Sequence, residues 1–361
     1  MSKEFLNFSV GPVLMDKEIL SIGKEQIPYF RTSEFSEVMI ENEKLMKKLV
    51  NAKNDSRVVF LTASGTGAME ATVMNTLTKK DRVLIINGGS FGERFSEICD
   101  IHEIPHIDIK LNNDELLTKE HLDAYKNEKI TALLVNIHET STGMLYDINI
   151  LSNFCKEKKC LFIVDAISSF LADEINMKEN GIDILITSSQ KALALPPGIS
   201  IIVLNSKSIN RVENINVKNM YFNFCSYLKN GERGQTPFTP AVSILLQLNA
   251  RLKAIDSVGV KDIVNNTKKI AEDFRSKIVK LPFEIVNPRP SNAVTVIKPL
   301  GKMKAYDIFK YLKNNYNIFV CPNGGELKDK IFRVGHIGKL SIEKNDMLIN
   351  ALKEMNKRGL F

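Results

Sequence analysis

Short apolar runs recur along residues 57–204 and are separated by segments long enough to form helices. Such runs, when they lie between turn residues, are typical of buried strands. The predicted strands are residues 57–62, 83–86, 132–137, 161–164, 182–186 and 199–204. Because strands that alternate with helices form βαβ units, the pattern predicts a largely parallel sheet that is buried on both faces.

Apolar residues at helical spacing predict a long helix from Phe35 to Leu49, in which Asn42 is the only polar residue on the apolar face. Further helices are expected at residues 68–77 and 241–255. After residue 255 the pattern changes, and predicted strands alternate with helices on a smaller scale. The strands are residues 283–286, 293–297, 318–321 and 331–334, and the helices are residues 305–314 and 341–357.

The change in pattern near residue 255 predicts two domains. We expect an N-terminal arm at residues 1–15, a large domain at 16–255 and a smaller C-terminal α/β domain at 256–361. The length of 361 residues exceeds that of a typical single domain, which agrees with this division. A site in the cleft between the domains could be closed to water by a small movement.

The composition argues against two classes of partner. Lys and Arg total 49 against 42 Asp and Glu, a net charge of +7, but the basic residues are scattered, so nucleic-acid binding is not expected. No apolar run approaches the roughly 18 residues of a membrane span, and the first residues lack a signal-peptide pattern. We therefore expect a cytoplasmic protein that makes no membrane contact and whose weak positive potential suits small anionic substrates.

Cysteine and histidine spacing predicts neither a disulfide framework nor a metal site. The five cysteines include no C-x-x-C pair, which favours reduced thiols. His102 and His106 have i,i+4 spacing, but Pro105 between them would end any helix that presents both rings. No metal ligands are expected.

Lys191 is the first candidate for chemistry. It follows the predicted strand at residues 182–186 and stands among apolar neighbours in the stretch S-S-Q-K-A-L-A-L-P-P-G. An amine in apolar surroundings loses its proton more easily, and only the neutral amine attacks an aldehyde to form a Schiff base. The alternative is a solvated loop lysine without a chemical role.

Other polar residues also follow predicted strands. In Ser64-Gly65-Thr66 small residues precede a helix start whose free N–H groups attract an anion such as a phosphate; the alternative is a helix cap with a tight turn. Asp165 ends an apolar strand, where a buried carboxylate needs a positive partner unless it only caps the next helix.

Because the carboxyl ends of parallel strands meet at one edge of a sheet, these residues are expected to converge there with the aromatic Phe91. A lysine for an aldehyde, a carboxylate for a ring nitrogen, an aromatic ring for stacking and an anion site for a phosphate together describe pyridoxal phosphate.

Six motifs in a fixed order carry a resemblance to a known family. They are S-G-T-G at 64–67, N-G-G-S-F-G-E-R at 87–94, H-E-T-S-T-G at 138–143, V-D-A-I-S-S at 164–169, S-S-Q-K at 188–191 and F-R-V-G-H-I-G at 332–338. Together they resemble the class V aminotransferases of fold type I, near the 2-aminoethylphosphonate–pyruvate and alanine/serine–glyoxylate transaminases. The resemblance implies an α/β fold with a large, mainly parallel-sheet domain and a smaller C-terminal α/β domain.

The resemblance implies roles for the residues around the cofactor. Lys191 is similar to the Schiff-base lysine that also moves the proton at the substrate Cα, and Asp165 to the partner of the pyridinium nitrogen. Phe91 occupies the ring-stacking position. The phenolate contacts implied are Thr140 and Gln190, and the phosphate contacts implied are Ser64, Gly65 and Thr66.

The resemblance also implies a homodimer with shared active sites. The segment at residues 234–240 is similar to one that reaches the phosphate of the neighbouring subunit, with Thr236 and Thr239 as the candidates. Arg333 resembles the arginine that binds the substrate carboxylate; its alternative is an edge-strand arginine in a surface salt bridge. Arg31 matches a helix-entry motif and would either line the substrate entrance or support the subunit contact.

The implied activity is a ping-pong transfer of an amino group from a small donor, 2-aminoethylphosphonate, alanine or serine, to pyruvate or glyoxylate. The motifs disagree about the donor. Residues 87–94, 98–100 and 104–106 resemble the aminoethylphosphonate branch, whereas residues 190–193 and 234–240 resemble the alanine/serine–glyoxylate branch. The donor therefore stays open.

Two other functions are weighed against this one. A cysteine desulfurase needs a cysteine on a mobile loop and usually has His before the Schiff-base lysine, but here Gln190 precedes Lys191 and Cys321 lies beside Pro322. A non-catalytic scaffold of the same fold is disfavoured because Lys191 and Asp165 are both present.

Overall fold

The computed structural model describes residues 5–361, so the first four residues of the predicted arm lie outside the described part. The helices are α1 (Lys17–Ile22), α2 (Ser33–Leu49), α3 (Gly65–Thr76), α4 (Ser90–Ile101), α5 (Lys119–Asp123), α6 (Ile148–Lys158), α7 (Ser206–Glu213), α8 (Phe224–Gly231), α9 (Val242–Val258), α10 (Val260–Ile278), α11 (Ala305–Tyr316) and α12 (Ile342–Lys357).

The strands follow the same order along the chain. They are β1 (Leu6–Phe8), β2 (Arg57–Leu61), β3 (Val83–Asn87), β4 (His106–Lys110), β5 (Ala132–Asn136), β6 (His138–Glu139), β7 (Met144–Leu145), β8 (Leu161–Asp165), β9 (Ile184–Ser188), β10 (Ser200–Leu204), β11 (Phe283–Ile285), β12 (Val294–Pro299), β13 (Ile318–Pro322) and β14 (Phe332–Gly335).

Within residues 5–361, the larger sheet has seven strands in the order β2-β10-β9-β8-β5-β3-β4. Its pairs are parallel except that β10 runs antiparallel to both β9 and β2. The sheet lies between two apolar cores, and alternate residues of β2 enter opposite ones: Val59 and Leu61 join the core of α3 and α4, and Val58 and Phe60 join that of α2. This confirms the predicted mainly parallel, doubly buried sheet.

The sequence pattern missed β4 because this strand lies at the edge of the sheet. Its residues His106 to Lys110 alternate between polar and apolar side chains, so the continuous apolar run of a fully buried strand is absent. His106 is the first residue of this strand, whereas His102 caps the end of α4. The two histidines therefore lie on different elements and present no shared helix face.

The second sheet has the order β1-β13-β14-β12-β11 in the described part of the chain. Its apolar side chains form a separate core with α10, α11 and α12. The N-terminal residues Leu6–Phe8 pair in parallel with β13, so part of the expected arm is a strand of this sheet. The domain division near residue 255 stays a prediction, and it falls close to the end of α9.

The long helix predicted from Phe35 is α2, and its buried polar residue has a structural role. The Nδ2 atom of Asn42 donates to the carbonyl oxygen of Leu245 at 3.2 Å, and its Oδ1 atom accepts from Asn249 at 3.0 Å. Both partners belong to α9, so the amide joins the two helices through hydrogen bonds that satisfy its buried polar atoms.

Strand register brings the predicted site residues to one edge of the larger sheet. Leu61 at the end of β2 and Ser188 at the end of β9 both pair with Ser200, and Asp165 at the end of β8 pairs with Asn136 and Ile186. The carboxyl ends of these strands are therefore level. Among the helices of residues 5–361, none is both long and apolar enough to cross a bilayer.

Candidate active site

Lys191 lies in the loop between β9 and β10, and that loop is closed on itself by Ser189. The Ser189 backbone N–H donates to Ile199 at 2.9 Å, and its hydroxyl donates to the carbonyl oxygen of Pro196 at 2.7 Å. The Lys191 Nζ atom donates to the carbonyl oxygen of Val10 at 2.6 Å. A side chain on Gly11 would approach the Lys191 Cδ atom to 2.7 Å, so this glycine makes room for the lysine stem.

The surroundings of Lys191 make its amine easier to deprotonate. Burial lowers the pKa of Lys191 to about 8, and the positive charge of Arg333 acts in the same direction against the opposing effect of Asp165. At this pKa roughly a tenth of the amine is neutral at pH 7. The solvated loop lysine that the sequence left open does not describe this side chain.

Asp165 ends β8 with a side chain that is 1% exposed. Its Oδ1 atom accepts from the Ile167 N–H at 2.8 Å, and its Oδ2 atom accepts from the Asn136 Nδ2 atom at 2.9 Å. Burial raises the pKa of Asp165 to about 6, and these two hydrogen bonds oppose the shift. A protonated ring nitrogen would supply the positive partner that a carboxylate this deep lacks.

The start of α3 is open to an anion. The hydroxyl of Ser64 caps the helix by accepting from the Gly67 N–H at 3.4 Å, whereas no described residue accepts a hydrogen bond from the Gly65 or Thr66 N–H. A Cβ atom on Gly65 would lie 2.5 Å from the Cδ1 atom of Ile167, which shows how closely this turn approaches the Asp165 strand. Free N–H groups at a helix start are suited to a phosphate.

Phe91 is half-buried in the first turn of α4, and Arg94 covers its ring. The guanidinium carbon of Arg94 lies 4.6 Å from the ring centroid, and its Nη1 atom donates to the Thr66 hydroxyl at 3.1 Å. Arg94 thus links the proposed stacking residue to the turn at the start of α3. No role was assigned to Arg94 from the sequence, although it stands in the N-G-G-S-F-G-E-R motif. Its i,i+3 spacing from Phe91 in a helix could have indicated that it lies beside that ring.

Arg333 lies opposite this edge, on β14, with its guanidinium against the H-E-T-S-T-G loop. Its Nη1 atom donates to the carbonyl oxygen of Thr140 at 3.2 Å, and its Nη2 atom donates to that of Pro322 at 2.9 Å. The Nε atom is buried and has no hydrogen-bond partner among residues 5–361. Because β14 lies between β13 and β12, the alternative of an edge-strand arginine does not describe this residue.

The two residues expected at the phenolate oxygen have hydrogen-bond partners within the site. The Thr140 hydroxyl lies 2.6 Å from that of Ser168, and Gln190 accepts a hydrogen bond from the Ser188 hydroxyl. Ser168 was not singled out in the sequence, although it stands in the V-D-A-I-S-S motif.

His138 is a second residue that the sequence did not single out. The ring is 1% exposed, and the Ser168 backbone is the polar group that opposes the pKa shift that burial causes. Burial lowers the pKa of His138 to about 3, with the charges of Lys191 and Arg333 adding to the effect. The imidazole is therefore neutral at physiological pH and adds no charge beside the lysine.

Arg31 holds the segment at residues 234–240. Its Nη1 atom donates to the Gln235 side chain at 3.1 Å and to the Thr236 carbonyl oxygen at 2.7 Å, and its Nη2 atom donates to that of Pro237 at 3.3 Å. Thr236 is buried, with its hydroxyl donated to the carbonyl oxygen of Phe238 at 2.8 Å, whereas Thr239 is exposed. The two threonines that the sequence suggested thus differ in accessibility.

The residues at this edge fit pyridoxal phosphate. A buried amine with a lowered pKa, a buried carboxylate and a helix start with free N–H groups match its aldehyde, ring nitrogen and phosphate. The orphaned Nε atom of Arg333 shows that the site also retains a donor for a further group.

Comparison with known proteins agrees with this geometry. Residues 28–326 match the family model described as aminotransferase class-V. An uncharacterized aminotransferase of Methanocaldococcus jannaschii is 32% identical over 91% of this chain and 86% of its own. The soluble hydrogenase small subunit of a Synechococcus strain is 31% identical with the same coverage.

A serine–glyoxylate aminotransferase of Hyphomicrobium methylovorum is 28% identical over 92% of this chain and 85% of its own. Among solved structures, an alanine–glyoxylate aminotransferase of a Nostoc species superposes with a TM-score of 0.91 and 24% identity, covering 98% of this chain and 96% of its own. That likeness confirms the predicted fold. The chain belongs to the class V aminotransferases, enzymes that use pyridoxal phosphate.

Proposed function

We propose that this enzyme transfers an amino group from alanine or serine to glyoxylate or pyruvate by a ping-pong mechanism. The observation that carries the proposal is the position of Arg333, whose guanidinium lies at the Thr140 loop and lowers the pKa of Lys191 by its charge. A substrate carboxylate bound to this guanidinium would bring the substrate Cα near the amine. The serine–glyoxylate relative supports the choice of donor and acceptor.

Each residue of the site has one task in this proposal. The cofactor supplies an electron sink for the charge that develops when the substrate Cα loses its proton. Lys191 binds the cofactor and then moves that proton. A pKa of about 8 suits this task, because the amine can both accept and release a proton near neutral pH. Asp165 keeps the ring nitrogen protonated, and Arg333 orients the substrate through its carboxylate.

We further propose that two copies of the chain complete each other's sites. The segment at residues 234–240 lies beside apolar side chains that are unusually exposed for a single chain: Tyr29 is 68% and Met220 79% exposed. Tyr221 stacks on Phe238 of the segment with ring centroids 5.2 Å apart. A second copy would cover this surface, and Thr239 is the residue of the segment best placed to reach a phosphate outside its own chain.

The Arg31 hydrogen bonds support its role at the subunit contact, because all three acceptors belong to the segment at residues 234–240. The desulfurase alternative is not supported, because Cys321 lies within β13 rather than on a mobile loop. The non-catalytic alternative does not account for a buried Asp165 at the same edge as Lys191.

The test is a donor panel followed by visible spectroscopy. Alanine, serine, aspartate and 2-aminoethylphosphonate are each mixed with the cofactor-loaded protein, and loss of the visible band of the lysine-bound cofactor is recorded. Alanine or serine is expected to remove the band, and glyoxylate or pyruvate to restore it. Loss with 2-aminoethylphosphonate alone would contradict the proposed donor.

Replacement of Lys191 by Ala tests the central assignment. The variant is expected to resist covalent trapping of the cofactor by borohydride and to lose transamination by roughly 100- to 10,000-fold, the contribution of a positioned acid and base. Lys207→Ala is the control, because Lys207 pairs with Asp183 away from the site. Turnover by Lys191→Ala at the parent rate would show that another residue carries the proton.

A further inference from the structure

The start of α4 is capped by a segment that lies 48 residues further along the chain. The helix begins after Gly89, which has no side chain to cap it. Instead the Ser141 hydroxyl accepts from the Ser90 N–H at 3.2 Å, and the Glu139 Oε2 atom accepts from the Phe91 N–H at 3.1 Å and the Gly92 N–H at 3.0 Å. The first three N–H groups of the helix are thereby satisfied.

The other carboxylate oxygen of Glu139 holds its own loop. Its Oε1 atom accepts from the Ser141 backbone N–H at 3.1 Å and from the Ser141 hydroxyl. The side chain is 1% exposed, and a buried carboxylate is stable only when donors such as these, or a helix dipole, compensate for lost water. Glu139 has both, because it faces the positive end of α4.

Gly89 permits this approach. A Cβ atom at this position would lie 2.5 Å from the Ser141 Oγ atom and 2.6 Å from the Glu139 Cδ atom, so any other residue would displace the carboxylate or the helix. The glycine thus belongs to the contact between α4 and the loop, as glycines do where two backbones approach closely.

The two helix starts at this edge of the sheet differ in what they bind. In α3 no described residue accepts from the Gly65 or Thr66 N–H, whereas in α4 a carboxylate of the protein occupies the equivalent position. Of these two helix starts, only that of α3 has free N–H groups to bind an anionic ligand. The α4 start serves a different purpose, which is to attach Phe91 to the Thr140 loop.

We propose that Glu139 is a positioning residue that joins the backbone of Phe91 to the Thr140 loop and so sets the width of the slot for the cofactor ring before the cofactor binds. Phe91 would form one wall of this slot. Thr140, the next residue after Glu139, would reach the phenolate oxygen. The inference rests on the cofactor roles assigned to these two residues. The charge of Glu139 also raises the pKa of Asp165, so the carboxylate lies close enough to affect the partner of the ring nitrogen.

The experiment compares Glu139→Gln with a matched control, Asp183→Asn. Asp183 is also a buried carboxylate, accepting from the Phe162 N–H at 2.8 Å, from Asn205 at 2.7 Å and from Lys207 at 2.9 Å, but it lies at the start of β9, at the opposite edge of the sheet. Each amide variant keeps the shape and replaces one acceptor oxygen by a donor. Three quantities are measured: the Tm of the cofactor-free protein, the Kd for pyridoxal phosphate, and the visible circular dichroism of the bound cofactor.

Both variants are expected to lower the Tm, but only Glu139→Gln should raise the Kd, by about tenfold, and change the visible dichroic band. Similar effects of both variants on the Kd and the dichroic band would overturn the proposal. So would a Glu139→Gln variant that lowers the Tm but leaves the Kd and the dichroic band unchanged. If Glu139→Gln does not fold, Glu139→Asp withdraws the carboxylate by one methylene, and the same two readouts decide. None of the measurements needs turnover, so a wrong donor assignment would leave this test intact.

Discussion

The lowered pKa of Lys191, on which its proposed role depends, is caused by its surroundings. The amine donates to the Val10 carbonyl oxygen, and both its loss of water and the positive charge of Arg333 disfavour the ammonium form. Asp165 responds to burial in the opposite sense, with its pKa raised to about 6. Both shifts favour the neutral form of a group that has lost its water, and a protonated ring nitrogen beside Asp165 would again favour its ionised form.

This predicts how cofactor capture depends on pH. The cofactor-free protein should take up pyridoxal phosphate at a rate that rises with pH through about 8 and then levels, because only the neutral Lys191 amine reacts. Arg333→Gln removes a neighbouring positive charge, so the pKa of Lys191 rises and the inflection moves to higher pH. The measurement is the rate at which the visible band forms between pH 6.5 and 9.5, values chosen to span roughly 1.5 units about the midpoint.

Arg82→Gln is the control for this experiment, because Arg82 pairs with Glu128 on the surface, 2.8 Å away. Its inflection should match that of the parent protein. An inflection that stays in place in Arg333→Gln would show that Arg333 does not act on the amine.

At the scale of elements, the start of α3 has a helix cap and, in our proposal, an anion site as well. The Ser64 hydroxyl caps the helix, and the two N–H groups that follow have no acceptor among the described residues. A helix cap contributes to the stability of the protein wherever it stands, whereas an anion site contributes only to ligand binding.

We therefore predict two effects for Ser64→Ala. Loss of the cap should lower the free energy of unfolding of the cofactor-free protein by about 1 kcal/mol, and loss of the hydroxyl should weaken binding of pyridoxal phosphate. Asn205→Ala is the matched control: Asn205 caps α7 by accepting from the Ser208 N–H at 2.9 Å, beyond the far end of β10. This control should lose stability and keep its Kd, and an equal change in Kd for both variants would contradict the assignment of the anion site.

At the scale of the whole molecule, a buried carboxylate connects the two sheets. Asp173 follows β8 of the larger sheet and accepts from the Asn292 N–H at 2.9 Å and from the Ser291 hydroxyl, both in the connection between β11 and β12 of the smaller sheet. Burial raises the pKa of Asp173 to about 6, although these bonds and the positive charge of Arg275 oppose the shift. The carboxylate is 6% exposed.

This contact predicts a pH-dependent difference between the parent protein and Asp173→Asn. Because the folded pKa is above the unfolded value of about 4, the parent protein loses stability as pH rises from about 4 to about 6. The asparagine cannot ionise, so the free energy of unfolding of Asp173→Asn should rise relative to that of the parent by about 2 kcal/mol between pH 4.5 and 7, most of the full effect of the shift at 1.36 kcal/mol for each pKa unit. Unfolding free energies at pH 4.5 and 7 measure the difference, and a constant difference would contradict the prediction.

If the proposed dimer shares its active sites, two inactive variants should restore activity when they form mixed dimers. Lys191→Ala disables a chain's own site, and Thr239→Glu should disable the neighbour's by placing a carboxylate against the phosphate. When the two inactive variants are unfolded, mixed and refolded, half of the dimers carry one intact site, so activity should return to roughly a quarter of the parent value. Each variant refolded alone is the control, and no recovery on mixing would argue against shared sites.

Most of the fold could be predicted from the sequence, and so could the edge of the sheet at which the candidate residues lie. The continuous apolar runs correspond to β3, β5, β8, β9 and β10, and each of these strands is buried along its whole length. Asp165 could be selected because a carboxylate directly after a buried apolar run needs a compensating partner, and Lys191 because it stands among apolar neighbours shortly after β9. The edge strand β4 was missed because its polar and apolar side chains alternate and only Ile109 of its five residues is buried.

The sequence alone determined most strands and helices and the strand ends at which the candidate residues stand, because these depend on local runs of apolar residues and, in helices, on a spacing of about 3.6 residues. Only the tertiary structure decided which distant groups meet. Arg31 binds a segment about 204 residues away, Asp173 a serine 118 residues away and Glu139 a helix start 48 residues away. Such contacts obey no local period, since they arise when packing brings donors and acceptors together and removes the water that would otherwise satisfy them.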